Sequence, residues 1–271
     1  MKIRFNCYKD GKHKALTMSY DDGQRHDLRL VEIFNKYGIK GTFHLNAGIL
    51  GKELFVTPEE VPTVYAGHEV SSHSLTHPFL ERISGEELVH EITEDRRILE
   101  GLCAYPVRGM SYPYGTYNAE VINNLRTLGM QYSRTIKSTG RFDIPADFME
   151  WHPTCHHCDP KLMERLEKFQ SNKSPMPLFY VWGHSYEFPR DNNWEVIERF
   201  CEQAGGDPDV WYATNIEIFD YITALRALRF SADRTMVYNP TATDVWVEVD
   251  GVPAVCPAGR VTCLTSVRLP N

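Results

Sequence analysis

The sequence lacks any long apolar run. Nowhere do about eighteen apolar residues follow one another, so we expect no transmembrane helix. Basic clusters are missing too: 29 Lys and Arg residues are outnumbered by 36 Asp and Glu residues, and the formal net charge is −7. An acidic chain without a Lys/Arg patch is poorly suited to binding nucleic acids or anionic membranes. We therefore expect neither of them as a partner.

Other signals are absent as well. The seven cysteines are an odd number in a chain of 271 residues, which can bury a core without disulfides. The first residues contain no apolar segment typical of a signal peptide. We therefore expect reduced thiols and a cytoplasmic location. The phosphate-binding patterns GxGxxG and GxxxxGK[ST] do not occur, so no usual nucleotide site is indicated.

Over its first 228 residues the chain alternates short apolar runs with longer helical patterns. We predict strands at Ala15–Tyr20, Gly41–Leu45, His68–Ser72, Arg108–Met110, Gln131–Arg134, Leu178–Trp182 and Val210–Thr214. We predict helices at Leu28–Tyr37, Ser84–Leu102, Asn118–Leu128, Lys161–Gln170, Trp194–Ala204 and Glu217–Leu228. Alternating strands and helices imply parallel pairing through right-handed crossovers. The pattern therefore predicts an α/β barrel or an open doubly wound sheet.

The pattern changes after Leu228. Alternation over Asp244–Val249, an Asp250-Gly251 turn and a run over Val252–Cys256 predict a β-hairpin, with a third strand at Arg260–Val267. We therefore predict two domains, a barrel of residues 1–228 and a small C-terminal β-sheet appendage of residues 229–271. The appendage either covers one end of the barrel or binds a substrate or partner.

Two motifs place metal-ligand types after predicted strands. Asp21 and Asp22 are adjacent, and their side chains point in different directions, so one can bind a metal while the other acts on water. The alternative is a turn in which they accept backbone hydrogen bonds. On one helical turn, His73 and His77 would share a face with a spacing that suits Zn²⁺. With Asp22 they make a His-His-carboxylate set with open positions, which predicts a metal site.

A third motif is the predicted turn over Arg108–Gly115. Pro113 fixes one φ angle and Gly115 frees another, so backbone N–H groups of the turn can face a developing oxyanion. An ordinary aromatic turn is the alternative. His184 also follows a predicted strand, where a lone histidine is either structural or catalytic.

The segment from Cys155 to Cys158 concentrates soft and borderline metal ligands, in the order Cys-His-His-Cys. A CxxC pair with adjacent histidines is typical of a zinc site or a redox pair. A closed structural zinc site needs a second pair of ligands, and none follows at a finger-like spacing. Three interpretations stay open: a substrate-side loop with reduced thiols, a second metal site and a redox pair.

The order Ser-Tyr-Asp-Asp-Gly, His-Ser-x-x-His, Tyr-Pro-Tyr-Gly and a late strand ending in histidine resembles the polysaccharide deacetylases with the NodB homology domain, the fourth carbohydrate esterase family. The resemblance spans about Lys14 to Tyr221. It implies a distorted barrel of seven or eight βα units, which agrees with the seven predicted strands. We therefore predict a distorted (β/α)7-type barrel.

The resemblance also implies roles for residues. It makes Asp21 the catalytic base, His184 the general acid and the Tyr114 amide the oxyanion donor, and it makes Asp22, His73 and His77 the metal ligands. Ser111 stands where the family usually has the arginine of its third motif, so we expect Arg108 or Arg134 to supply that charge beside Asp21.

The sugar site is less clearly marked, because the family's Asp-Trp motif is not evident. We expect Trp151 or Trp182 to line the sugar site together with Tyr112 and Pro113 of the turn. Asp143 is a candidate carboxylate partner for His184.

The implied reaction is hydrolysis of an N-acetyl group on an amino sugar or an N-acetylated oligosaccharide. A divalent metal would polarise the acetyl carbonyl and hold the attacking water. Zinc is expected, with cobalt, nickel or manganese as alternatives. Two other functions stay open: hydrolysis of another C–N bond, such as a formamide or ureide, and a catalytically silent carbohydrate-binding protein that uses its C-terminal sheet.

Overall fold

The computed structural model describes residues 1–266 of the chain. The helices are α1 Asp27–Lys36, α2 Val61–Val64, α3 Gly85–Cys103, α4 Ala119–Thr127, α5 Leu162–Gln170, α6 Glu187–Arg190, α7 Trp194–Ala204 and α8 Asn215–Arg226. The strands are β1 Ile3–Arg4, β2 Lys14–Asp22, β3 Gly41–Leu45, β4 Glu69–Ser72, β5 Gly109–Ser111, β6 Tyr132–Arg134, β7 Cys155–His156, β8 Leu178–His184, β9 Val210–Tyr212, β10 Arg229–Phe230, β11 Met236–Tyr238, β12 Val245–Val249, β13 Val252–Cys256 and β14 Val261–Cys263. Across these 266 residues, no helix has the length and apolar character needed to cross a membrane.

Strands β2 to β9 form one eight-stranded sheet. Its order is β6-β5-β4-β3-β2-β8-β7, with β9 beside the beginning of β2, and its pairings are parallel. The seven predicted strands are present, each shifted by a few residues at most. The long buried stretch of β2 suits a strand with neighbours on both edges and helices outside. This strand order places the carboxyl ends of the parallel strands along one edge.

The predicted helices are present as well. Helix α3 begins where the sequence Ser84-Gly-Glu-Glu87 predicts a capping box: the Ser84 hydroxyl accepts from the Glu87 amide and the Glu87 carboxylate accepts from the Ser84 amide. The helix ends before Ala104, which adopts a left-handed conformation with φ of 59°.

Strand β7 is a correction to the predicted set. It has two residues, which are too few to carry a periodicity, and its register places Cys155 beside Val181 of β8. A few residues earlier, Trp151 bridges to Arg134 of β6. The irregular segment 151–156 therefore links the two edges of the sheet and curls it into a distorted barrel.

Strands near the two chain ends form small antiparallel sheets, β1-β12-β13 and β10-β11-β14. The hairpin β12–β13 is as predicted, and Asp250 and Gly251 in its turn have φ of 50° and 90°, as a type I′ turn requires. The predicted third strand is present as the shorter β14, and it pairs with β11. Its predicted end, Val267, lies outside the described residues.

The hairpin packs on the barrel. One apolar cluster contains Trp151 and Tyr180 of the barrel together with Val245 and Val247 of β12. Strand β1, at the start of the chain, pairs with β12. The division at residue 228 stays a prediction, to which the structure adds that residues from both ends build this sheet.

Candidate active site

Polar side chains collect where the parallel strands end. In the sheet register Asp21 lies between His44 of β3 and His184 of β8, and Ser111 of β5 lies beside Arg134 of β6. Active sites of α/β folds lie at this carboxyl edge, because the loops that follow the strands converge there. The structure therefore places the main predicted catalytic side chains at one level of the barrel.

The predicted metal ligands Asp22, His73 and His77 come together. Their ligand atoms lie within 4.8 Å of one another. The two Nε2 atoms are 3.0 Å apart, and Asp22 Oδ1 lies 3.7 Å from His73 Nε2 and 3.9 Å from His77 Nε2. Two imidazoles and one carboxylate directed at a common point fit a catalytic zinc-type site with open positions.

The expectation that His73 and His77 share a helical turn is wrong. The segment after β4 is a loop in which Ser74 and His77 have left-handed φ angles of 64° and 63°. The Ser74 hydroxyl accepts from the His77 amide, and Asn46 donates to the carbonyl of Ser74. The loop, not a helix, turns both imidazoles inward.

A hydrogen bond fixes the tautomer of His73. Its Nδ1 lies 2.9 Å from the Ser111 carbonyl oxygen and 2.7 Å from the Ser111 hydroxyl, whose proton is directed to Asp21, so both oxygens accept from Nδ1 and Nε2 presents a lone pair to the site. Burial lowers the pKa of His73 to about 4, against the opposing charges of Asp21 and Asp22. The ring is therefore neutral, the form that binds metal.

Asp21 is 2% exposed and forms an ion pair with the fully buried Arg134. Burial by itself would raise the pKa of Asp21, but Arg134 together with the surrounding histidines outweighs burial, and the pKa falls well below its usual range. The Ser111 hydroxyl donates to Asp21 Oδ1 at 3.1 Å. Ser111 therefore contacts both the predicted base and the ligand His73.

Arg108 does not take part in this site, which corrects one of the two predicted sources of positive charge. It lies one residue before β5, at the opposite end of that strand, and pairs with Asp220 through two bonds of 2.8 and 2.7 Å. It also donates to Gln131. The strand direction separates Arg108 from Asp21, whereas Arg134 ends its strand beside the site.

His184 ends β8, and its Nε2 lies 3.9 Å from Asp21 Oδ2. Its Nδ1 faces the Glu187 carboxylate at an ion-pair distance of 3.6 Å. Burial by itself would lower the pKa of His184. The hydrogen bond and negative charge of Glu187, together with the charges of Asp21 and Asp22, outweigh burial, and the pKa is raised. The ring is therefore held toward its protonated form, which a general acid needs.

Glu187 replaces Asp143 as the carboxylate partner of His184. Asp143 is exposed and pairs with Arg141 at 2.8 Å. Glu187 begins the short helix α6, three residues after His184, and this spacing is the signal that sequence reasoning missed.

Several predicted sugar-site residues lie elsewhere. Trp151 and Tyr112 are each 1% exposed. Trp151 packs among aromatic rings of the barrel interior, and the Tyr112 hydroxyl donates to the Met149 carbonyl. Pro113 is buried in the turn. Trp182 is close to the site, but its ring covers the Arg134 guanidinium at 4.2 Å and is mostly buried.

Tyr114 offers the exposed aromatic surface that those residues lack. Its side chain is 50% exposed and stacks on Phe79 at 3.9 Å, with its edge toward the His77 ring at 4.4 Å. Its φ of 57° kinks the turn. Tyr186, beside His184 at 5.2 Å, is a second aromatic ring that the sequence analysis does not single out.

Comparison with known proteins supports the same family. The family model for polysaccharide deacetylases matches residues 8–133. The chain is 28% identical over 120 residues to the peptidoglycan-N-acetylmuramic acid deacetylase PdaC of Bacillus subtilis, covering 43% of this chain and 25% of that protein. It is 25% identical over 120 residues to the chitooligosaccharide deacetylase of Azorhizobium caulinodans, covering 43% of this chain and 56% of that protein. The matches thus span from a quarter to little over half of these relatives.

Solved structures share the fold. A crystal structure from Mycobacterium smegmatis, assigned to the polysaccharide deacetylases, has a TM-score of 0.59 and 16% identity and covers 81% of this chain and 93% of that chain. A CE4 family pseudoenzyme from Bacillus anthracis has a TM-score of 0.50 and 19% identity, and the match covers 78% of this chain and 66% of that chain. At these identities the likeness concerns the fold, and the predicted barrel class is confirmed. The match of the family model to residues 8–133 and the similarity to curated deacetylases confirm the resemblance that the motifs predict.

Proposed function

We propose that this protein is a metal-dependent hydrolase that removes N-acetyl groups from an amino sugar or an N-acetylated oligosaccharide. The observation that carries the proposal is the convergence of a buried Asp21–Arg134 pair, three metal-ligand side chains and the His184–Glu187 pair at one end of the barrel. Relatives named as deacetylases of peptidoglycan sugars and chitooligosaccharides support an N-acetylated substrate.

A divalent metal held by Asp22, His73 and His77 would act as a Lewis acid on the acetyl carbonyl and favour ionisation of the attacking water. Asp21 is suited to accept the proton of that water, because Arg134 keeps its carboxylate ionised. The Ser111 hydroxyl, which donates to Asp21, fixes the orientation of the carboxylate.

His184 is suited to protonate the nitrogen that leaves. Its Nε2 faces the site across from Asp21, and its other nitrogen faces Glu187, whose charge favours the protonated ring that a general acid needs. Without that proton an amine anion would have to leave.

The Tyr114 amide is the proposed donor to the oxyanion of the tetrahedral intermediate. The next two amides of the turn, of Gly115 and Thr116, already donate to carbonyls within the turn. A donor of this kind contributes about 3–4 kcal/mol to transition-state stabilisation where it has been measured.

The test is acetate release from N-acetylglucosamine oligomers by the zinc-loaded protein. We expect turnover, and a loss of at least about a hundredfold in Asp21→Asn and in His184→Gln. Asp143→Asn, which changes an exposed aspartate outside the site, is the matched control and should keep the wild-type rate. Circular dichroism checks that each variant is folded.

The outcomes separate the alternatives. Turnover of N-formyl or ureide compounds supplied in parallel, with no acetate released from the N-acetylated oligomers, would move the function to another C–N bond. Binding of oligomers without turnover at any metal loading would make the protein a silent carbohydrate-binding member. Full activity in Asp21→Asn would reject the proposed mechanism.

A further inference from the structure

A second group of metal-ligand side chains lies beside His184. The ligand atoms of His156, His157, Cys158 and Glu187 lie within 4.8 Å of one another. The buried Cys155 is not part of this group, so the CxxC pair itself is not the site. Two imidazoles, a thiolate and a carboxylate are ligands that zinc accepts in proteins, and together with Zn²⁺ they are electrically neutral.

One carboxylate oxygen is the centre of the group. Glu187 Oε2 lies 3.1 Å from His156 Nε2 and 3.2 Å from His157 Nε2. Ligand atoms bound at about 2.0–2.2 Å in a tetrahedral zinc site are separated by about 3.3 Å. The observed separations fit ligands of a shared metal, and without a metal the 3.1 Å contact is a hydrogen bond from His156 to Glu187.

His157 supplies an independent observation. Its ring is 1% exposed, and among the described residues neither of its nitrogens has a hydrogen-bond partner. Nε2 is close to Glu187 Oε2 but not aligned with it, as expected for two atoms directed at a third. A buried, unpartnered imidazole is costly unless something binds it.

The position of His157 is tightly held. Its ring lies between Tyr20 at 5.6 Å and Phe188 at 4.3 Å, stacked on both. A Cβ at Gly183 would lie 1.9 Å from its Nδ1, so the ring edge packs on the glycine backbone. These contacts leave Nε2 facing Glu187 before any ligand arrives.

His156 needs one local change to bind metal through Nε2. Its Nδ1 accepts from the Cys158 amide at 3.1 Å, so the neutral ring carries its proton on Nε2. When a metal binds Nε2, the neutral ring carries its proton on Nδ1 instead, and the Cys158 amide must then turn away from Nδ1. The exposed Cys158 thiol already lies within 4.8 Å of the other ligand atoms.

We propose that His156, His157, Cys158 and Glu187 form a second, zinc-type metal site, and that a metal bound there slows deacetylation by withdrawing Glu187 from His184. The same Oε2 atom faces His184 Nδ1 at 3.6 Å, so the metal and the general acid compete for one oxygen. The regulatory half of this inference rests on the proposed function, and the metal site does not.

Cobalt(II) is the probe for the site, because a thiolate ligand gives it an intense near-ultraviolet charge-transfer band. The Asp22, His73 and His77 site contains no thiolate, so the band reports only the second site. We expect the band in the wild type and in His77→Ala, and its loss in Cys158→Ser. Cys263→Ser, which changes another exposed cysteine, should keep it. Absence of the band, or its persistence in Cys158→Ser, overturns the site.

Zinc titration tests the regulatory half. We compare the rate of acetate release at several equivalents of zinc with the rate at one equivalent. In the wild type and in Cys263→Ser the rate at several equivalents should be at least several-fold lower. In Cys158→Ser the two rates should stay nearly equal. An equal fall in Cys158→Ser places the inhibition at another site and overturns this half. If no variant releases acetate, the proposed function and the regulatory half fail together, while the cobalt band still decides the metal site.

Discussion

The Arg134 side chain is fully buried against the Asp21 carboxylate. Water does not solvate either charge there, so each charge is stabilised by the other. Removing one partner of a buried pair leaves an uncompensated charge, which costs about 3–5 kcal/mol. We therefore expect Arg134→Gln to lower the free energy of unfolding by about that amount and to abolish acetate release. Urea denaturation and the acetate assay measure the two effects.

The control for this prediction is Arg108→Gln. The Arg108–Asp220 pair is partly exposed, with side-chain exposures of 32% and 38%. Such pairs contribute about 0–1 kcal/mol, and Arg108 is remote from Asp21. We expect wild-type turnover and a small stability change. Equal losses in the two variants would contradict the assignment of Arg134 as the partner of Asp21.

The ring of Tyr114 is the second prediction at the scale of a residue. It is half exposed beside His77, where a sugar ring can stack on it. Aromatic stacking contributes about 0.5–1.5 kcal/mol, so we expect Tyr114→Ala to raise the KM for the oligomer by up to about tenfold with a smaller change in kcat. Tyr114→Phe keeps the ring and should keep the KM. A loss of kcat without a change in KM would rule out a stacking role.

At the scale of elements, Glu69 ties β4 to its neighbours at the end of the barrel away from the site. Its carboxyl group is contacted by the Tyr132 hydroxyl at 2.7 Å, the Thr42 hydroxyl at 2.9 Å and the Ile216 amide at 2.9 Å. Burial nevertheless raises the pKa of Glu69 to about 7, because it outweighs the three hydrogen bonds.

The sign of the pH effect follows from that shift. The folded pKa is above the unfolded one, so the stabilisation is fully present below about pH 4.5 and is lost as the pH rises through about 7. We expect the difference in unfolding free energy between the wild type and Glu69→Gln to change by about 3 kcal/mol between pH 4 and pH 8. Urea denaturation at several pH values measures it. In Glu120→Gln, an exposed change on α4, the pH dependence should match the wild type.

Elements with a strong pattern were predictable from the sequence. The alternation of apolar runs and amphipathic stretches predicts the central strands and helices, because burial of one face produces that periodicity. Strand β7 has only two residues and no periodicity of its own. The pairing of β14 with β11 depends on packing between distant segments, which no local pattern reports.

Some parts of the candidate site were also predictable from the sequence and others were not. The convergence of the main site residues was predictable, because they lie at or after the carboxyl ends of strands that meet at one edge: Asp21, Asp22, His73, His77 and His184. The conformation of the 73–77 loop was not, because left-handed φ angles at Ser74 and His77 have no sequence signature of the glycine kind. The choice between Arg134 and Arg108 depended on which end of its strand each residue occupies.

At the scale of the whole molecule, the hairpin and the barrel share a core. Val247 of β12 is fully buried in a cluster that also contains Tyr180 of β8 and Trp151. The amide of Trp246 donates to the hydroxyl of Tyr221 on α8 at 3.0 Å. Shared apolar contacts of this kind make two parts of a chain unfold together.

We therefore expect one calorimetric transition for the whole chain, with equal calorimetric and van't Hoff enthalpies. Val247→Ala removes buried methyl groups at a cost of about 2 kcal/mol, which should lower the single midpoint by about 4–8 °C. Val255→Ala, on the exposed face of β13, is the matched control and should leave the midpoint close to that of the wild type, since Val255 is 41% exposed. Two transitions, of which Val247→Ala moves only the smaller, would show that the appendage folds apart from the barrel. A single shifted transition would show that the sheet built from both chain ends unfolds together with the barrel and contributes to its stability.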